Sequence, residues 1–177
     1  SAAGERNYEV IELTTPLAAH LVGKLEQGME KVKFVCVDSD AADKLIQKDE
    51  AIPSKLSDSE KDKLRPVIEN VVDKSKFNVV FESMPETDQP FTVTQPEFSR
   101  RMKDMNALAG GAGTMPEMYN LLVNNNHPLV VGLLKEKDKK KREQKIRQMS
   151  DLAMLAQNML KGEQLTEFVR RSIETIK

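Results

Sequence analysis

The stretch "DLAMLAQNMLKGEQLTEFVRRSIETI", Asp151 to Ile176, decides how the chain is built. Leu152, Leu155, Ala156 and Met159 recur at steps of three or four, and with Ile146, Met149, Ala153 and Leu160 they make one broad apolar stripe on a helix. Gly162 then stands where a left-handed C-cap belongs. A second helix carries Leu165, Phe168, Val169, Ile173 and Ile176 at the same spacing. Two amphipathic helices joined by a tight turn have two apolar faces to hide, and the body before them is small. Pairing with a second copy as a four-helix bundle is the economical solution, so a homodimer is expected.

Just upstream, "KEKDKKKREQK", Lys135 to Lys145, concentrates positive charge. Over all 177 residues, however, 27 basic side chains meet 28 acidic ones, which gives no general reason to expect a polyanionic partner. The run reads as the solvated start of the helix. The alternative, a basic helical nucleic-acid-binding module acting through Lys137 to Lys145, lacks nearby aromatic rings on which bases stack. With 39% hydrophobic and 31% charged residues and a mean hydropathy of -0.50, the composition is that of a soluble globular chain. No apolar run approaches the roughly 20 residues of a membrane-spanning helix, and "SAAGERNYEV" has no charged start leading into an apolar stretch. A cytoplasmic protein without a membrane partner is expected. The single cysteine, Cys36, excludes an internal disulfide framework and a cysteine metal cluster, and reads as an inert core thiol in a strand.

Working further back, "PEFSRRMKDMNALAGGAGT" sets Phe98, Met102, Met105 and Leu108 on one helical face, with Arg100, Arg101, Lys103 and Asp104 on the other. Such a stripe is ordinarily core. Here the charged far side makes it a surface helix, and thioethers repack cheaply against varied partners. Before it, "FNVVFESM" and "QPFTVTQ" flank the turn-forming "PETDQ", which predicts an antiparallel hairpin. After it, "MYNLLVN" predicts a third strand and "PLVVGLLKE" a short helix begun by Pro128.

"AIPSKLSDSEKDK" marks a boundary, dividing the chain into residues 1–53 and 54–177. Ser57 with Glu60 reads as a capping box, and Pro66 inside the following apolar pattern predicts a kink or break. The first part reads as strand ("YEVIEL", Tyr8 to Leu13), helix (Leu17, Leu21, Leu25) and strand ("VKFVCV", Val32 to Val37), followed by a short polar helix in "DSDAADKLIQKDEA". So small a βαβ-type piece cannot close a core and reads as the tail of a larger domain. The fold class is α+β: this subdomain, then an α/β domain with a short three-stranded sheet and the terminal helix pair.

Catalytic constellations are scarce. His20 reads as a surface residue and His127, before a proline, as a turn residue; neither has a companion nucleophile. "ALAGGAGT" ends a helix and lacks the Lys-Ser or Lys-Thr of a phosphate loop, and no metal-ligand spacing is present. No enzyme activity and no catalytic residue are expected. The apolar surfaces remain as the functional features.

Three stretches, "PEFSRRMKDMNALAGG", "YNLLVNNNHPLV" and above all "DLAMLAQNMLKGEQLTEFVRRS", resemble the C-terminal region of the bacterial heat-shock protein 90 family of ATP-dependent chaperones, a stress-response family, from Ser54 to the end. "YEVIEL" through "VDSDAADKL" resembles the last part of that family's middle domain. The resemblance implies that residues 54–177 form a homodimerisation domain. Its terminal helices would then make the four-helix bundle through Met149, Leu152, Leu155, Ala156, Met159, Leu165, Phe168, Val169, Ile173 and Ile176. It further implies that Phe98, Met102, Met105 and Leu108 contact partly folded client proteins. In the family ATP and Mg are bound far upstream, so no cofactor and no ATPase activity are expected of these residues. The close "SIETIK" is not the acidic tail that eukaryotic members offer to co-chaperones, so no acidic-tail co-chaperone is expected.

Overall fold

A computed structural model describes residues 9–15, 17–32, 34, 36, 52–108 and 118–176. Among the described residues, six helices and a three-stranded mixed sheet give an α+β chain. The elements are α1 (Ala18–Gly28), α2 (Asp58–Glu69), β1 (Phe77–Glu82), β2 (Phe91–Thr94), α3 (Glu97–Leu108), β3 (Tyr119–Asn124), α4 (Pro128–Leu133), α5 (Lys139–Ala156) and α6 (Gly162–Ile176). They gather into two compact units, one of residues 1–49 with 94–118 and the other of residues 50–93 with 119–177.

The second unit is built on the sheet. The strand order is β1-β3-β2, and β1 runs parallel to β3 in a register that sets Phe77 opposite Tyr119 and Glu82 opposite Asn124. The expected β1–β2 hairpin therefore does not form, because β3 lies between the two. Leu121, Leu122 and Val123 are all buried, the unbroken apolar run of a central strand covered on both faces. The turn chemistry of 83–90 is spent on a different bend. The carboxamide of Asn124 donates to the Pro85 carbonyl at 2.8 Å, and that of Asn126 donates to the Met84 carbonyl at 3.0 Å. Asn126 also offers its side-chain oxygen to the Lys55 N–H at 2.7 Å, and its own N–H donates to Asn124 at 3.0 Å. The side chain of Asn125 donates to the Ser83 hydroxyl at 3.3 Å, so three buried asparagines tie the β1–β2 connection and the entry to α2 onto the end of β3.

Around this sheet the core gathers Leu64 and Ile68 of α2, Phe77 and Val79 of β1, Phe91 and Val93 of β2, Val130 and Leu133 of α4, and Ile146, Met149 and Ala153 of α5. The Lys76 carbonyl accepts from the Tyr119 N–H of β3 and the Glu82 carbonyl from that of Asn125, just past its end, so the carbonyls of the odd residues between them face outward. Arg65 donates to one of these, that of Val79, and lies over the Phe81 ring at 5.2 Å, which closes part of the open sheet edge.

The local signals at helix starts hold. The Glu60 carboxylate accepts from the Ser57 N–H at 2.8 Å and its hydroxyl at 2.7 Å, the expected capping box. Pro128 opens α4, and α5 is capped by Asp138, which accepts from Lys140 and Lys141 N–H. Pro66 does not break α2, which runs on to Glu69. Pro66 and Asp62 are both exposed, so the carbonyl left without a donor faces water. At the other end α5 stops at Ala156 rather than Leu160. Asn158, with φ of 54°, takes the left-handed position expected of Gly162, which itself has φ of 57° where α6 begins.

In the first unit α1 matches the expected helix, but the flanking strands do not appear among the described residues: 9–14 and 32, 34 and 36 are irregular. The polar helix expected in 38–51 falls outside the described residues. Leu17, Leu21 and Leu25 are exposed.

Two outcomes test this account. Asn124→Ala leaves the buried Asn126 N–H without a partner and removes one of two donors from the Pro85 carbonyl, which keeps the Asp88 N–H at 3.1 Å, so it should cost roughly 1–3 kcal/mol by urea unfolding. Asn78→Ala, which removes the exposed Asn78–Asn120 contact, should cost less than about 0.5 kcal/mol. Equal costs contradict the asparagine account. Hydrogen bonds from Ser57 hold the Glu60 carboxyl below its ordinary value of 4.5, and those from Ser75 hold Asp73 below 3.8. The unfolded chain then binds more protons on acidification. Stability from these groups is full above about pH 4.5 and is lost as pH falls through their folded values. The urea midpoint should drop in that window, and Glu60→Gln should flatten the drop.

Candidate functional site

Helix α3 is tied to α1 near its start and exposes part of its apolar stripe. At its first turn Glu97 accepts from Arg100 at 2.8 Å, from Arg101 Nε at 2.7 Å and from the Cys36 N–H at 3.3 Å. Arg101 is the hub. Its two terminal nitrogens donate to the two Glu26 oxygens of α1 at 2.8 and 3.0 Å, and one of them also reaches the Phe34 carbonyl at 2.8 Å. Glu26 in turn accepts from the Phe34 N–H at 2.8 Å. These groups are about three-quarters buried, where a forked guanidinium–carboxylate pair is stronger than a fully exposed one. Burial acts to raise the Glu97 carboxyl, but the hydrogen bonds from Arg100, Arg101 and Cys36 outweigh it and hold the group below its ordinary value. Glu26 and Glu97 together raise Arg101 above its ordinary value, so the hub stays charged.

Two apolar side chains of this helix are exposed. Phe98 is 74% exposed and Met105 50%, while Met102 is half-buried. Leu108 ends the helix, and its side chain falls outside the described residues. The half of the network within α3 is legible as Glu97 and Arg101 at i, i+4. Its partner Glu26, 75 residues away in sequence, is not.

A second apolar surface lies on the terminal helices. Leu152, Leu155, Val169 and Ile173 are between 39% and 53% exposed, Ala156 is exposed, and Met159 and Leu165 are half-buried. Met149 and Phe168 instead turn inward and are buried within the chain. The side chain of Ile176 falls outside the described residues. Gln148 and Ser172 are bonded at 2.9 Å, and Arg171 of α6 pairs with Asp151 of α5.

The remaining candidates have structural roles. His127 caps α4, its Nδ1 accepting from the Leu129 N–H at 3.1 Å, and burial lowers its pKa, which favours the neutral imidazole this bond requires. His20 is exposed, and Cys36 is half-buried in irregular chain. Within the basic run, Lys145 pairs with Glu136 at 2.7 Å and Lys139 with Glu143 at 3.8 Å. Among the described residues no group of three or more His, Cys, Asp or Glu side chains could hold a metal ion, and no helix is long and apolar enough to cross a membrane.

Comparison with known proteins agrees with the family resemblance. No family model matches the chain. Against the chaperone protein HtpG of Porphyromonas gingivalis it is 42% identical over 134 residues, covering 72% of this chain and 20% of that protein. Against HtpG of Bacteroides fragilis it is 30% identical over 245 residues, covering 99% of this chain and 36% of that protein. For HtpG of Bacteroides thetaiotaomicron the identity is 29% over 245 residues. The chain thus spans between 20% and 36% of the length of these curated relatives. On this similarity the chain belongs to the HtpG family of heat-shock chaperones.

Proposed function

We propose that the chain is the homodimerisation and client-contact region of a cytoplasmic ATP-dependent chaperone. Residues 54–177 carry association, and residues 1–53 form the end of the preceding middle domain. ATP and Mg chemistry belong to other parts of the family's length, and these residues act by binding alone. The observation that carries this reading is the exposure of apolar residues of α3. The helix is tied to α1 through Arg101, yet Phe98 and Met105 are left to solvent. A core helix has no reason to expose a phenylalanine by 74%, whereas a contact surface for partly folded proteins does. The exposed stripe of α5 and α6 supports association with a second copy on the same argument, and the paired lysines of the basic run leave the nucleic-acid reading without a comparable observation.

Sedimentation should show a dimer at micromolar concentration. Leu155→Glu combined with Val169→Glu, both at exposed positions, should give a folded monomer; an unsubstituted chain that sediments as a monomer contradicts the association claim. Phe98→Ala with Met105→Ala should weaken capture of a partly unfolded protein by roughly tenfold, about 1.4 kcal/mol, with Tm unchanged. A large fall in Tm means that the stripe is core.

A further inference from the structure

Helices α1 and α3 belong to the first unit, and an open groove of about 410 Å³ lies between them, with room for a few side chains of an extended segment. On α1 it is lined by His20, Gly23, Lys24 and Gln27, which at steps of three and four share one side of that helix. On α3 it is lined by Arg101 and Met105, one turn apart. Gly23 leaves the floor bare, since a Cβ there would meet nothing within 4 Å.

The chemistry of this lining is one-sided. Every polar side chain in it carries N–H donors, and among the described residues no carboxylate lines it. Glu26 and Glu97, which tie α1 to α3, are matched charge for charge by Arg100 and Arg101. Lys24 stands outside that balance, exposed and in no ion pair among the described residues, so the groove carries a positive excess. Met105 joins this groove to the apolar stripe, because it lines the one and continues Phe98 and Met102 in the other. Packed helices lie about 8–10 Å apart, a span that two or three extended residues cover at roughly 3.4 Å each. A chain with an apolar residue on Met105 therefore brings a residue two or three positions away over the donors of α1.

Resting on the proposed role of α3 as a contact for partly folded proteins, we propose that this groove selects among them, favouring segments in which an acidic side chain stands two or three residues from an apolar one. The apolar side chain meets Phe98 and Met105, and the carboxylate accepts from Lys24 with His20 or Gln27 beside it. Two unstructured peptides of one design test this, both built on Leu and Phe, with Glu two residues from each apolar side chain in one and Gln in its place in the other. Titrated into the full chain carrying isotope-labelled methionine methyls, both should shift the Met105 resonance, which reports occupancy directly. The Glu peptide should bind about threefold to fivefold more tightly at low salt, the size of one exposed ion pair, and the advantage should fade at about 0.5 M salt. Lys24→Glu should reverse the order, whereas Lys63→Glu, the same change of charge at an exposed position of α2, should leave it. Equal binding of the two peptides, an advantage that survives Lys24→Glu, or one that Lys63→Glu also removes overturns the selectivity and leaves the contact role of α3 standing. If neither peptide binds, or if Phe98→Ala with Met105→Ala leaves binding unweakened when followed at Met102, the contact role falls and the selectivity with it.

Discussion

Parallel pairing of β1 with β3 is the constraint on which the rest of the chain depends. Two parallel neighbours cannot be joined by a hairpin, because the chain must leave one end of the sheet and return to the other. Here the excursion runs from Ser83 to Met118 and carries β2 and α3. The asparagines at the end of β3 hold its start by bonding the Met84 and Pro85 carbonyls. Strand order and the place of the amphipathic helix in the chain therefore follow from this pairing, and one set of buried polar contacts holds the bend that leaves β1.

That set explains which parts of the fold were legible. Local chemistry was: the Ser57–Glu60 box, Pro128 at the start of α4, and the helices α1, α3, α5 and α6 appear where the sequence places them, except that α5 ends at Ala156, short of Leu160. Strand order was not, because "PETDQ" satisfies every local rule for a hairpin turn while its neighbours bond to side chains some 40 residues away. Pro66 shows the same limit from the other side. A helix tolerates it because the position faces water, which sequence alone does not say.

The candidate surfaces were legible in part. Phe98 and Met105 are exposed, as a contact stripe requires, but periodicity could not separate Leu152 and Leu155 from Met149. All three belong to one broad apolar stripe, in which Leu152 and Leu155 lie about 60° and 120° round the helix from Met149, far enough to meet solvent instead of the sheet. The leucines of α1 carry the pattern of a buried face and are exposed. Arg101 supplies what periodicity lacks, the tie that holds α3 against α1. Its guanidinium is forked onto Glu26 and bonded to Glu97 and to the Phe34 carbonyl, and in the resulting orientation Phe98 and Met105 are exposed.

The methionines themselves are the most direct probe of that orientation. Limited peroxide oxidation followed by peptide mass spectrometry ranks their accessibility in one experiment on the unsubstituted chain. The account predicts that Met105 oxidises far faster than Met84 and Met149, which are 5% and 4% exposed, and that a partly unfolded protein slows the oxidation of Met105 and leaves the buried pair unchanged. If Met105 reacts as slowly as Met84, or gains no protection from an unfolded protein, α3 is not the exposed contact surface described here.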